Sequence, residues 1–141
     1  MKTSSLLFLT LSRLSLGFIF LWAFLDKTFG LGFATVPEAS WISGGSPTHG
    51  FLMHATQGPV AIFFQSLAGY AWVDWMFMIG LLFVGLTFIT KKYIRLGSYL
   101  GAAMLVLMYL ALLWPENNPL IDDHIVYALV MLYIGSLDYK K

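Results

Sequence analysis

Apolar residues gather in four runs along the chain, and each run is long enough to form a membrane-spanning helix. A bilayer core of about 30 Å requires about 20 apolar residues in helical conformation. The pattern predicts spans at residues 5–25, 74–90, 94–114 and 119–138. We therefore expect an all-α integral membrane protein with a single domain, residues 1–141, built as a four-transmembrane-helix bundle.

The segment between the first and second spans, residues 47–69, is apolar only in short pieces. Gly58-Pro59 and Gly69 interrupt it, and Ser46 followed by Pro47 is typical of the start of a helix. Its apolar pieces are too short to cross a bilayer. We predict a short helical lid, of one or two helices, that lies on or dips into the outer leaflet.

The charged residues are distributed unevenly about the predicted spans. Six of the eight basic residues lie near span ends that share one side, namely Lys2, Lys91, Lys92, Arg95, Lys140 and Lys141. The opposite side holds Lys27 and six of the seven acids. Since cytoplasmic loops are enriched in Lys and Arg, we expect both termini in the cytoplasm. The expected location is the cytoplasmic (inner) membrane of a prokaryote, as a multi-pass protein.

The amino-acid composition excludes several kinds of ligand and cofactor. Hydrophobic residues make up 59% and charged residues 11%, against about 25% charged in soluble domains. The lipid bilayer is therefore the expected partner, and nucleic acid is not. The absence of cysteine excludes iron–sulfur ligation, thiol chemistry and Cys-type zinc sites. The three histidines have no recognised zinc spacing and none falls within a span, so we predict no metal site and no haem; no flavin motif is present.

Asp122, Asp123 and His124 stand at the head of the last apolar run. One interpretation is structural: Asn118 caps the helix, Pro119 begins it, and the helix dipole favours carboxylates in the first turn. The other interpretation is a polar site roofed by the lid, in which these three residues exchange protons or act as catalytic groups.

Neighbouring residues would complete such a site. Tyr127 shares a helix face with Asp123 and His124 because it follows them by four and three positions. Asp26 and Lys27 end the first span and face the same side of the membrane. The functional interpretation therefore groups them with Tyr127 as binding residues.

Arg13 is predicted to lie about 10 Å inside the first span. An arginine at the centre of a span costs about 2.5–3.5 kcal/mol on insertion scales. It would either extend to the headgroups or pair with Asp138, or face the bundle interior and donate to a quinone carbonyl or an anion. Gly97 and Gly101 form a GxxxG pair, which predicts a packing face.

Three tracts carry a resemblance: "RLSLGFIFLWAFLDKTFGLGFAT", "SWISGGSPTHGFL" and "NPLIDDHIVYALVML". Over essentially the whole chain the sequence resembles the DoxX/DoxD family of small four-helix membrane proteins, in particular members labelled as membrane subunits of thiosulfate dehydrogenase (quinone). The resemblance implies a protein that works with quinone and, in the archetype, oxidises thiosulfate to tetrathionate beside a second subunit. The positions that match the family tracts are Arg13, Gly17, Asp26, Lys27, Asp122, Asp123 and His124.

Three functions remain open at this point. The first is a quinone-interacting subunit of a membrane oxidoreductase, with quinone as the cofactor and a second membrane or outer-side subunit, or a copy of itself, as the partner. Its catalytic residues would be Asp122, Asp123 and His124, and its binding residues Arg13, Asp26, Lys27 and Tyr127. The alternative is a non-catalytic accessory or anchoring subunit of a larger membrane complex. The third is a small permease or anion carrier, although no inverted repeat is visible.

Overall fold

The computed structural model describes residues 3–116, 118 and 120–137. This part of the chain contains helices and no β-strand. The α-helices are α1 (Thr3–Phe29), α2 (Ala61–Gln65), α3 (Ala71–Thr90), α4 (Ile94–Ala111) and α5 (Asp123–Leu137).

Helices α1, α3 and α4 are each long and apolar enough to cross a membrane. They confirm three of the four predicted spans as long apolar helices. Helix α5 has 15 residues, a length of about 22 Å, which is shorter than a bilayer core. It begins at Asp123, four residues after the predicted start. The predicted bounds at positions 119 and 138 lie outside the described residues.

The four longer helices pack in the order α1, α3, α4 and α5. The α4–α5 and α1–α3 pairs pack most extensively, and α1 meets α5 over a smaller area. Buried apolar side chains from all four helices form one core, made of Leu16, Phe20, Met78, Leu81, Val84, Phe88, Ile94, Ala102, Leu105, Ala128, Met131 and Ile134. The opposite faces expose many large apolar side chains, as expected for helices surrounded by lipid.

Two glycines bring α1 and α3 into close contact. A Cβ atom at Gly17 would lie 2.8 Å from Cβ of Phe88, and a Cβ atom at Gly85 would lie 2.9 Å from the backbone nitrogen of Leu21. Both distances are shorter than real Cβ contacts allow. Each helix therefore places a glycine where the other helix's backbone or side chain comes closest, as small residues do in membrane helix pairs.

The GxxxG pair of α4 lies in the packing face that its spacing predicts. Gly97 faces Thr87 of α3, while a Cβ at Gly101 would lie 3.0 Å from both Cγ1 of Val84 on α3 and Sδ of Met131 on α5. Helix α4 thus uses its small residues to fit between two neighbours. This packing prediction is confirmed.

The lid contains two short helical segments, as expected. Residues 51–55 form one turn of π-helix, and α2 follows at residues 61–65. Ser46 was predicted to cap the first segment, but the N-cap position of that segment is Gly50, which makes no side-chain cap bond. Ser46 instead stabilises the turn before it, because its Oγ accepts a hydrogen bond from the backbone N–H of His49 at 3.2 Å. Ile62 and Phe63 on α2 are 82% and 62% exposed. The lid therefore presents apolar side chains away from the bundle.

Candidate functional site

Asp74 anchors the start of the lid to α3. It is buried in the first turn of that helix. Its Oδ1 accepts hydrogen bonds from Ser46 Oγ at 2.8 Å, from Thr48 Oγ1 at 2.6 Å and from the Thr48 backbone N–H at 3.2 Å. Thr48 is also buried, so its two donors are shielded from water, whereas Ser46 is partly exposed. Asp74 therefore fixes the position at which the chain enters the lid.

Asp26 holds the loop that follows α1. Its carboxylate is 1% exposed. Oδ1 accepts the backbone N–H of Phe33 at 3.2 Å, and Oδ2 accepts that of Ala34 at 3.0 Å. Gly30 makes the turn possible, with φ of 63° and with the backbone of the next loop too close for a Cβ. The sequence interpretation put Asp26 in a substrate site, whereas here both of its oxygens bind the protein's own backbone.

Gln57 anchors the middle of the lid to the end of α4. Its backbone N–H donates to the carbonyl of Ala111 at 2.9 Å, and its Nε2 donates to the carbonyls of Leu112 at 3.2 Å and Trp114 at 3.0 Å. The last carbonyls of a helix lack partners within that helix. Gln57 provides the missing donors, so the lid also caps the carboxyl end of α4.

Sequence reasoning did not single out Asp74 or Gln57 as lid anchors. A signal existed for Asp74, because it is an acid in the first turn of an otherwise apolar helix. Gln57 directly precedes the Gly58-Pro59 break. Neither signal identifies the partner, since the bonded residues lie 26 to 57 positions apart along the chain.

Lys27 lies beside an apolar groove on α1. Its Nζ is 6.0 Å from the centre of the Phe77 ring on α3, within range of a cation–π contact. The groove, here called the α1 groove, has a volume of about 290 Å³ and is lined by Phe18, Ile19, Trp22, Ala23, Asp26, Lys27, Phe33 and Ala34.

Aromatic rings form the walls of the α1 groove. The Phe18 and Trp22 rings stack with centroids 5.8 Å apart, and the Phe33 ring meets Trp22 edge-on at 5.0 Å. Asp26 determines where Phe33 stands, because it binds the backbone N–H of that residue. The groove thus presents an almost wholly apolar, aromatic lining, and the Lys27 ammonium lies beside it, over the Phe77 ring of α3. Such a lining suits a flat apolar ring.

Asp122 caps α5 and binds His124. Its Oδ1 accepts the backbone N–H groups of His124 at 3.1 Å and Ile125 at 3.3 Å, and its Oδ2 lies 2.7 Å from Nδ1 of His124. The sequence placed the cap at Asn118. Asn118 instead accepts from the backbone N–H groups of Leu120 and Ile121 in a turn before the helix. The structural interpretation of the Asp-Asp-His group therefore holds for Asp122, with a different cap residue.

Asp123 and Tyr127 line one open cleft, as their spacing predicts. The cleft has a volume of about 550 Å³, and its other lining residues are Pro115, Glu116, Ile121, Asp122 and Val126. The cleft does not include His124, which the sequence grouped with Asp123 and Tyr127. It also does not include Asp26 or Lys27, which line the α1 groove. Among the described residues, no hydrogen bond or ion pair joins the two groups. The structure thus divides the proposed rim site into two separate surfaces.

Arg13 lines neither of these surfaces. Its Nη1 donates to the carbonyls of Phe88 and, at 3.0 Å, of Ile89, in the last turn of α3. The side chain therefore faces a neighbouring helix, and the last carbonyls of α3 gain a donor. The suggested partner Asp138 lies outside the described residues.

Within the described part of the chain, no three His, Asp or Glu side chains cluster closely enough to hold a metal ion. Comparison of the chain with protein-family models, curated proteins and solved structures gives no match.

Proposed function

We propose that this protein is a quinone-interacting subunit of a membrane oxidoreductase, and that the α1 groove receives the quinone ring. The observation that carries the proposal is the combination of Lys27 with the aromatic walls of Phe18, Trp22 and Phe33. The volume of about 290 Å³ lies at the lower end of ligand pockets. It suits a ring headgroup whose long tail remains in the lipid.

Lys27 would act on the quinone through its charge. An ammonium group donates a hydrogen bond to a quinone carbonyl and stabilises the negative charge that grows on that oxygen as electrons arrive. Reduction to quinol also takes up two protons. We propose that Asp122, Asp123 and His124 exchange protons near the same end of the bundle, as a group distinct from the groove.

The resemblance to the DoxX/DoxD family suggests the electron donor. Two thiosulfate ions would join as tetrathionate and release two electrons, which with two protons convert one quinone to quinol. The chain contains no cysteine. We therefore propose that the electrons pass to the quinone from a bound anion or from a second subunit.

The groove is tested by binding of a short-tailed photoreactive quinone to the protein in nanodiscs. Labelling is expected in the peptide that contains Phe18 to Ala34, and Lys27→Met should reduce it severalfold. Lys92→Met removes an exposed lysine at the opposite end of the bundle and serves as the control. Equal labelling of the two variants, or labelling elsewhere, would contradict the groove assignment.

The same preparation separates this function from the alternative. A lipid extract of the purified protein is expected to contain quinone. A stoichiometric complex with another membrane protein, without quinone in the extract, would favour the accessory or anchoring subunit.

We further propose four spans with both termini in the cytoplasm, in a prokaryotic inner membrane. Helix α5 supports a fourth span because it packs along α4 and contributes Ala128, Met131 and Ile134 to the core. The distribution of Lys and Arg supports the orientation. A reporter fused after Lys141 should read as cytoplasmic, and a signal from the other side would overturn the orientation.

A further inference from the structure

The register between α1 and α3 determines the depth of Arg13. These antiparallel helices meet at Gly17 and Phe88, where a Cβ on the glycine would lie 2.8 Å from the phenylalanine Cβ. Nearer the lid, Lys27 lies over Phe77. Arg13 follows one turn beyond Gly17 in the other direction and reaches the last turn of α3. It is therefore level with the end of α3, rather than with the middle of the bundle.

The Arg13 side chain has N–H donors that remain available at the level of the end of α3. The guanidinium group has five N–H donors in a rigid fork. Within the described part of the chain, only Nη1 is bonded, to the carbonyls of Phe88 and Ile89. These two bonds hold the side chain against α3. The remaining N–H groups are thus positioned for a further acceptor.

More positive charge follows directly along the chain. Lys91, Lys92 and Arg95 form the α3–α4 turn and the start of α4, two to six residues beyond Ile89. With Arg13 they make up what we call the α3-end basic cluster. Lys91 and Arg95 have interactions of their own, so the proposal below rests on Arg13 and Lys92. Lys92 is exposed.

Acidic side chains are concentrated at the other end of the bundle. The six acids within the described residues are Asp26, Glu38, Asp74, Glu116, Asp122 and Asp123. They lie at the lid end, in the loop that leads into α5 or at the first residue of α5. None of these six acids lies at the α3 end of the bundle, so none of them offsets the charge of the α3-end basic cluster.

Exposed apolar residues border the cluster. Leu11, Ile89 and Leu96 are 50%, 37% and 58% exposed, and each lies within two residues of the cluster or is bonded to it. A bound group would therefore meet cations on one side and apolar surface on the other. A free anion would interact only with the cations, whereas a lipid would interact with both the cations and the apolar surface.

We propose that the α3-end basic cluster binds the phosphate of an anionic phospholipid at the membrane surface. The free side of the Arg13 fork donates to the phosphate oxygens, and Lys92 adds a second, mobile cation. The acyl chains lie along the exposed apolar side chains of α1 and α3. This site is independent of the proposed quinone function, because no residue of the α3-end basic cluster lines the α1 groove.

The experiment measures lipid retention by the whole protein. The chain is placed in phosphatidylcholine nanodiscs with and without phosphatidylglycerol, and the lipids that stay bound are counted by native mass spectrometry. Phosphatidylglycerol is expected to be retained in preference to phosphatidylcholine. Arg13→Gln and Lys92→Gln should each weaken this preference about fivefold, the effect expected for one cation near a membrane surface. Glu116→Gln changes the charge at the other end and should have no effect.

Lys92→Gln decides the result if Arg13→Gln fails to fold, because Lys92 is exposed. Its backbone N–H donates to Thr90 Oγ1, and its side chain has no hydrogen bond to any residue that the structure describes. Equal retention of the two lipids, or an unchanged preference in Lys92→Gln, would overturn the proposal. Displacement of phosphatidylglycerol by inorganic phosphate would also overturn it, because the site would then take a free anion.

Discussion

Replacement of Asp74 by alanine tests whether buried polar contacts hold the lid in place. Oδ1 of Asp74 accepts three hydrogen bonds, two of them from the buried Thr48. The substitution leaves the two Thr48 donors without their acceptor and shielded from water. The lid segment should then detach from α3 far more often than in the unchanged protein.

The magnitude follows from the number of donors that lose their acceptor. A hydrogen bond to a charged group contributes about 1.5–3 kcal/mol, and a buried donor left unsatisfied costs about 1–3 kcal/mol. Counting only the two Thr48 donors, Asp74→Ala should lower the free energy of lid opening by about 3–5 kcal/mol. Asp74→Asn keeps an accepting oxygen and should lower the free energy of lid opening by about half as much.

Limited proteolysis measures this opening directly, because cleavage of a fast-opening segment follows the population of the open form. A loss of about 3 kcal/mol corresponds to cleavage roughly 100-fold faster between residues 46 and 57. Glu38→Ala, an exposed acid in the same connection, is the matched control. If Asp74→Ala and Glu38→Ala are cleaved at the same rate, the hydrogen bonds to Asp74 do not hold the lid.

Three further predictions concern packing and caps. Gly17→Leu should separate α1 from α3 at Phe88 and cost several kcal/mol, seen as a loss of folded protein in detergent; normal yield and melting temperature would contradict the close contact. Asp122→Ala should cost about 1–2 kcal/mol through the lost α5 cap, against little change for Asp123→Ala, and equal melting temperatures would argue against a capping role. Gly58→Ala should speed proteolysis of the lid, because φ there is 76° and a Cβ would overlap the α4–α5 loop; wild-type cleavage would show that the loop yields easily.

The existence of α1, α3 and α4 as long apolar helices could be predicted from the sequence because it depends on local properties, although α1 ends four residues later, α3 begins three residues earlier and α4 ends three residues earlier than predicted. A long apolar run favours helix wherever lipid is the solvent, since backbone groups must then bond within the segment. The same holds for the Gly97–Gly101 face and the shared cleft of Asp123 and Tyr127. In each of these the interacting positions are close in sequence, or the periodicity of the helix decides the outcome.

The first residue of α5 could not be predicted from the local sequence. Asn118 and Asp122 are both good cap residues, and Pro119 favoured the first of them. In the structure Asn118 closes a turn and Asp122 caps the helix. The choice between two adequate caps depends on where the incoming loop leaves α4, which the local pattern does not encode.

The anchors of the lid and the level of Arg13 were decided only by the tertiary structure. The acids Asp26 and Asp74 look alike in the sequence, yet one binds a loop eight residues away or less and the other binds residues 26 to 28 positions earlier. Arg13 looks like a charge inside a span until the register of α1 on α3 places it at a helix end. A hydrogen bond requires two atoms to lie close together in space. Helical periodicity determines only the direction in which each side chain projects from its own helix, and not how the two helices are placed relative to each other.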